Sequence, residues 1–332
     1  MNIMNGKRMT QEKMNIMNGL KYILSILCVA GLITSCTQDD LDSAMPTESI
    51  PLTLTANLYE AVATPASAST RSTLDGEWDA DAKVAVRVNK NLVKKYTATP
   101  NTTAGSATLA CPELTGEDTD FLWSGSDETK AVDAWYPYSE TAPTGWTISL
   151  VQTPETMAAE DLMYAKSKNF TLANQATQAL EFEHQLGKVI INLKSSSYLT
   201  EAKEVKVSLT GQYKTGIFLG GSIGETSLDG DDAAEHTIIP YKLPSAGDGN
   251  YASYQALVIQ LDAAPTNWAY IQIEVDGTVY GHCLFNNWRI AFPAGCESIY
   301  NITVKKGELE VDADVSIKEW EIGASGAGEI IF

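Results

Sequence analysis

Over residues 50–59 apolar and other side chains alternate without a break: Ile50, Leu52, Leu54, Ala56 and Leu58 on one side, Pro51, Thr53, Thr55, Asn57 and Tyr59 on the other. Successive side chains of a pleated strand leave opposite faces, so this period of two predicts a strand with one buried face. The signature recurs down the chain. Lys83–Val88, 121–123, 132–136 and 146–151 read as strands bounded by Gly, Pro, Asp or Ser clusters. Val189, Ile190 and Ile191 form a continuous apolar run suited to a central strand, and Val205, Val207 and Leu209 alternate with Lys206 and Ser208. Ile271, Ile273 and Val275 alternate with Gln272 and Glu274 up to Asp276-Gly277, beyond which a second run begins; Asp-Gly between two such runs predicts a hairpin. Residues 299–304 and 315–322 complete the set. The nearest approach to a helix, over 157–165, predicts a single turn. Many short strands at this spacing predict an all-β chain of the sandwich type.

The amino-terminal stretch has a different pattern. Lys7, Arg8, Lys13 and Lys21 precede an apolar run over 22–33, which stops at Thr34, Ser35 and Cys36. The run is short for a bilayer span and ends in small residues rather than charge, the form of an export signal. Ile33-Thr34-Ser35-Cys36 resembles a bacterial lipobox, which implies cleavage before Cys36 and acylation of the new amino terminus. Two or more acyl chains, at about 0.8 kcal/mol per buried methylene, would anchor the protein stably to the outer membrane. The expected layout is therefore a signal peptide over 1–35, an acidic tether over 36–49, a first β-domain over 50–180 and a second over 181–332. Within the tether, Gln38-Asp39-Asp40 resembles an acidic surface-export signal and Asp42-Ser43-Ala44 an O-glycosylation site; a solvated acidic linker explains the same residues.

Charge narrows the partners. The 332 residues carry a formal charge of −19, and removal of residues 1–35 takes away four basic residues and one acid, leaving −22. Such a surface repels phosphate backbones and excludes nucleic acid as a partner. With 44% hydrophobic residues the chain can still bury a core. Beyond Cys28 and Cys36 only Cys111, Cys283 and Cys296 remain, an odd number; Cys283 and Cys296 are placed to pair, or all three stay buried thiols. His184, His236 and His282 lack metal-ligand spacing, and His184 reads as a structural partner near the domain junction. Asp229-Gly230-Asp231-Asp232 departs from an EF-hand loop and reads as a solvated turn. Trp135, Tyr136 and Tyr138 are either a sugar-stacking platform or packing at a domain edge. No nucleophile elbow, phosphate loop or dinucleotide fingerprint is found, so the chain is expected to be neither an enzyme nor a cofactor carrier.

Seven local motifs occur in order: Thr70-Arg71 before Trp78; Ala134-Trp135-Tyr136-Pro137-Tyr138; Asp161-Leu162-Met163-Tyr164-Ala165; FEHQLGKV over 182–189; residues 254–261; FPAGCESIYNITV over 292–304; and Ile317 with Trp320. Together they resemble the fimbrillin-like (major fimbrial subunit-like) lipoproteins of type V pili in Bacteroidales. That resemblance implies two tandem transthyretin-like β-sandwich domains. It also implies a structural or tip subunit that polymerises with other pilin subunits and serves adhesion. An Arg-specific protease would remove the first strand, and a neighbour's carboxy-terminal strand would fill the gap.

On this chain the processing site falls at Arg71, the first Arg or Lys after Lys21, in a linker rich in Ala, Ser and Thr. The removable segment is 50–71, its core face being Ile50, Leu52, Leu54, Ala56 and Leu58, with each large aliphatic side chain contributing about 1.5–3 kcal/mol. The donor segment is 315–332, with Val315, Ile317, Trp320, Ile322, Ile330 and Phe332 as apolar candidates. The alternative is a lipid-anchored surface module that never polymerises and binds glycans or host proteins.

Overall fold

The computed structural model describes residues 49–58, 73–202, 204–218, 223–225, 236–260, 270–283, 292–306, 308–311 and 316–319. Cys36, Arg71, Val315, Trp320, Ile322, Ile330 and Phe332 lie outside the described residues, as does the 229–232 turn. The described chain is predominantly β. Its first part contains β1 (Ile50–Pro51), β2 (Leu54–Leu58), β3 (Lys83–Val88), β4 (Val93–Pro100), β5 (Ser106–Ala110), β6 (Leu122–Trp123), β7 (Thr129–Tyr136), β8 (Gly145–Thr147), helix α1 (Pro154–Glu160), β9 (Met163–Thr171) and β10 (Ala179–His184). There follow β11 (Gly187–Lys194), helix α2 (Ser197–Glu201), β12 (Val205–Gln212), β13 (Thr215–Phe218), β14 (Ile223–Glu225), β15 (His236–Ile238) and β16 (Tyr241–Lys242). The last strands are β17 (Asn250–Val258), β18 (Tyr270–Val275), β19 (Thr278–Cys283), β20 (Cys296–Lys305), β21 (Glu308–Val311) and β22 (Ser316–Glu319).

Seven strands of the first part close on themselves in the order β10-β2-β5-β4-β3-β7-β9. In the β-sandwich-type fold expected here these strands are hydrogen-bonded into a closed ring. A barrel has no exposed strand edges, and its interior is filled by alternate side chains from every strand. Leu54, Ala56, Leu58, Val84, Val86, Tyr96, Ala98, Ala107, Leu109, Phe170, Leu180 and Phe182 are buried in that interior, and Trp78 packs edge-to-face on Phe182 with ring centroids 5.1 Å apart.

The second part holds a five-strand path, β16-β17-β11-β20-β21, with β22 also on β20, and a four-stranded sheet, β15-β12-β18-β19. The apolar run at Val189–Ile191 lies at the centre: β11 pairs antiparallel with β17 and parallel with β20. The expected Asp-Gly hairpin joins β18 to β19, with Val275 opposite Thr278 and Asp276 and Gly277 both at positive φ, as a two-residue primed turn requires. Cys283 and Cys296 fall on strands of different sheets, and Cys111 is a half-buried thiol.

Two expectations need correction. The helical turn expected over 157–165 is α1, which stops at Glu160; Met163 and Tyr164 already belong to β9. Thr153 and Thr156 close a capping box around its first turn, with Pro154 inside it, which starts the helix early. The boundary expected at 180/181 falls inside β10, all of which is in the barrel. Moreover, the 144–153 stretch is hydrogen-bonded to the second part. Gly145–Thr147 pairs with Thr215–Ile217, and the Gln152 amide donates to the Leu257 carbonyl and accepts from the Leu257 N–H, both at 2.7 Å.

Between β10 and β11 the chain passes beneath a loop with no room to spare. A Cβ on Gly187 would lie 2.7 Å from the Phe292 carbonyl oxygen, and Gly295 donates its N–H to Leu186 at 2.9 Å. Phe292 itself is buried, edge-on to Tyr300, and so is held from the other side. Gly187→Ala should therefore destabilise the protein by about 1–3 kcal/mol through overpacking, seen as a lower thermal midpoint; an unchanged midpoint would show that the loop yields freely.

Candidate functional site

Among the described residues no group of three or more His, Cys, Asp or Glu could hold a metal ion. The feature with chemical consequence is the position of β2. It is bonded on both edges, antiparallel to β5 with Leu54 opposite Leu109 and Ala56 opposite Ala107, and parallel to β10 with Ala56 opposite Leu180 and Leu58 opposite Phe182. Leu52, Leu54, Ala56 and Leu58 are each 2% exposed or less. Thr55 and Asn57 face outward, as the period of two dictates.

Ile50 does not join that face; it is 39% exposed. The ten-residue strand expected over 50–59 breaks at Leu52 and Thr53, and β1 leaves the barrel to pair with β6, Ile50 opposite Trp123. Polar contacts span the break. Leu52 donates its N–H to the Phe121 carbonyl at 2.8 Å, and its own carbonyl accepts from the Tyr96 hydroxyl at 3.0 Å. Thr53 donates its N–H to Gln175 Oε1 at 3.2 Å, and the same oxygen accepts from Trp123 Nε1 at 2.9 Å. Burial raises the Tyr96 pKa well above the ordinary tyrosine value, so its hydroxyl stays a donor throughout the physiological range.

The described chain resumes after this segment at Thr73, two residues beyond Arg71, and it is firmly fixed there. The buried Thr73 hydroxyl donates to Asp161 Oδ2 at 2.9 Å, and the other Asp161 oxygen is 2.8 Å from His184 Nδ1. Lys188 donates to the Leu74 carbonyl at 3.2 Å and pairs with Glu297 at 3.1 Å. His184 thus has its structural partner at the junction of the two parts. Nothing local in the sequence marks Thr73, Asp161 or Lys188 as individual site residues, although Asp161 and Lys188 lie within the 161–165 and 182–189 motifs.

The remaining candidates sort clearly. Trp135 and Tyr136 are buried, and Tyr138 is half-buried beneath Lys95, 5.4 Å from its ring centre, so the three do not form an open stacking surface. Arg87 is taken up by Asp133, which also accepts from the Tyr164 hydroxyl at 2.9 Å, and it lies 5.5 Å over the Trp135 ring. Hydrogen bonding to Asp133 raises the Arg87 pKa. Ile317 lies in β22, opposite Ser298 of β20.

Comparison with known proteins agrees with this architecture. The model of a family described as fimbrillin-like matches residues 70–320. A curated relative from Bacteroides uniformis, named as a candidate fimbrium subunit, Fim1C, is 26% identical over 327 residues, covering 92% of this chain and 97% of the relative. Solved structures of candidate cell adhesion proteins from Bacteroides uniformis and Bacteroides ovatus each superpose with a TM-score of 0.58, at 21% and 17% identity, covering 83% of this chain and all of theirs. They share its fold.

Because Leu54 is buried and Ile50 is not, truncating the two should have unequal effects. Leu54→Ala should cost about 2–5 kcal/mol in unfolding free energy and Ile50→Ala less than about 1 kcal/mol, measured by chemical denaturation; equal losses would contradict the placement of the strand.

Proposed function

Since the chain belongs to the fimbrillin-like family, we propose that it is a structural or tip subunit of a type V fimbria. In this reading it is exported as a lipoprotein acylated on Cys36, displayed on the outer membrane surface, and assembled into an adhesive fimbria by strand exchange. What carries the reading is β2. Its removal would open the barrel between β5 and β10, leaving two unpaired backbone edges and an apolar slot where Leu52, Leu54, Ala56 and Leu58 had been. Three buried leucines contribute roughly 5–9 kcal/mol gross, so the uncut strand stays in place and the vacated slot strongly favours a substitute.

Arg71 suits the processing step for a further reason. Of the three arginines beyond the leader, Arg87 of β3 is bonded to Asp133 of β7, Arg289 lies outside the described residues, and Arg71 lies in the sequence between the removable strand and the fixed Thr73. A cut after Arg71 would free β2 without releasing the new amino terminus from the junction. The donor would be the 315–332 segment of another subunit.

The test is to treat purified precursor with an Arg-specific protease. The expected outcome is loss of everything through Arg71 and growth of multimer ladders that resist mild detergent, both abolished by Arg71→Gln. A cut chain that stays monomeric would contradict strand exchange and favour the non-polymerising surface module.

A further inference from the structure

The break between β1 and β2 determines which strand can occupy the slot, and in which direction. Leu52 presents its N–H to a carbonyl, that of Phe121, and its carbonyl to a donor, the Tyr96 hydroxyl. A strand running the other way would set a carbonyl against the Phe121 carbonyl and leave the buried Tyr96 hydroxyl without its acceptor, each an unmade buried bond. Gln175, oriented by Trp123, then requires an N–H at the next residue, which excludes proline there. These contacts read backbone alone.

Side-chain size is read further along. Ala56 is fully buried between Ala107 and Leu180, with the large Leu54 and Leu58 sites on either side. A slip of one residue would turn the apolar face outward, and a slip of two would force a leucine-sized group into the alanine site. The slot therefore accepts large, large, small and large residues at alternate positions, running in the direction of β2. In the sequence, Trp320, Ile322 and Ala324 follow the first three of these at that spacing, Gly326 falls at the Leu58 position and leaves that site unfilled, and 315–332 contains no proline.

We infer that Tyr96, Gln175 and the Phe121 carbonyl form a backbone-reading clamp that, with the alanine site, fixes the direction and register of the incoming strand. The occupant is the 320–326 segment of a second copy, with Trp320 at the Leu52 position, Ile322 at the Leu54 position and Ala324 at the Ala56 position. The inference rests on the strand-exchange reading and adds the register.

Two measurements test it. In cut protein, Ala107→Cys together with Ala324→Cys should give a disulfide between subunits under mild oxidation, because Ala56 and Ala107 are cross-strand partners. Ala107→Cys with Ile322→Cys should give at least tenfold less, the linked peptides being identified by mass spectrometry to separate them from native thiols. Ladders without the Ala324 cross-link, or with equal cross-linking from both pairs, overturn the register; absence of ladders in cut wild-type protein overturns the strand-exchange reading instead. In uncut protein, Tyr96→Phe should speed hydrogen exchange of the 52–58 amides about five- to tenfold while leaving β11 and β17 unchanged. Unchanged exchange in 52–58 overturns the clamp.

Discussion

Everything in the amino-terminal half depends on β2 being bonded along both of its edges. An edge strand can leave a sheet and expose one new row of backbone groups; a strand inside a closed ring cannot leave without exposing two rows and the core beneath them. The parallel pairing with β10 and the antiparallel pairing with β5 make β2 the segment that closes the ring, and of the ring's strands it is the most remote from β10 in sequence. In the proposed exchange such a strand would be well held and replaceable for the same reason, since a chain of suitable pattern would restore both rows and refill the core.

The proposed replacement would require the rest of the molecule to outlast the loss, and the junction carries contacts suited to that. Thr73 is tied to Asp161 and His184, Leu74 to Lys188, and Lys188 to Glu297. Gln152 occupies both backbone groups of Leu257, and β8 is a strand of a sheet that β13 and β14 complete. The close passage of Gly187 under Phe292 adds a steric lock at the crossover. These contacts join barrel and carboxy-terminal sheets without using β2, so the strand is separable from the anchoring.

Legibility in the sequence followed the range of the interactions. The β2 face and the β18–β19 hairpin were readable because strand period and Asp-Gly turn chemistry are local. Ile50 was misplaced because nothing local marks the break at Leu52–Thr53; that break is stabilised by Tyr96, 44 residues away, and Gln175, 122 residues away. β4 and β5 escaped notice because their inward face is Tyr96, Ala98, Ala107 and Leu109 among lysines, threonines and serines, which makes a weak apolar signal. The run from Met163 reads as part of a helical turn because it is apolar without alternation: β9 lies between β7 and β10, with Met163 and Ala165 turned into the barrel core and Tyr164 packed on Phe218 outside it. The motifs Asp161–Ala165 and Phe182–Val189 were visible as words, but that Asp161 meets His184 could be learned only from the fold.

The account stands or falls on whether the working protein keeps its own β2. The direct measurement is the amino-terminal residue of the protein recovered from fimbriae on cells. It should be Ser72, with residues 50–58 absent and the slot filled by another chain; assembled protein that still begins at an acylated Cys36 would contradict it.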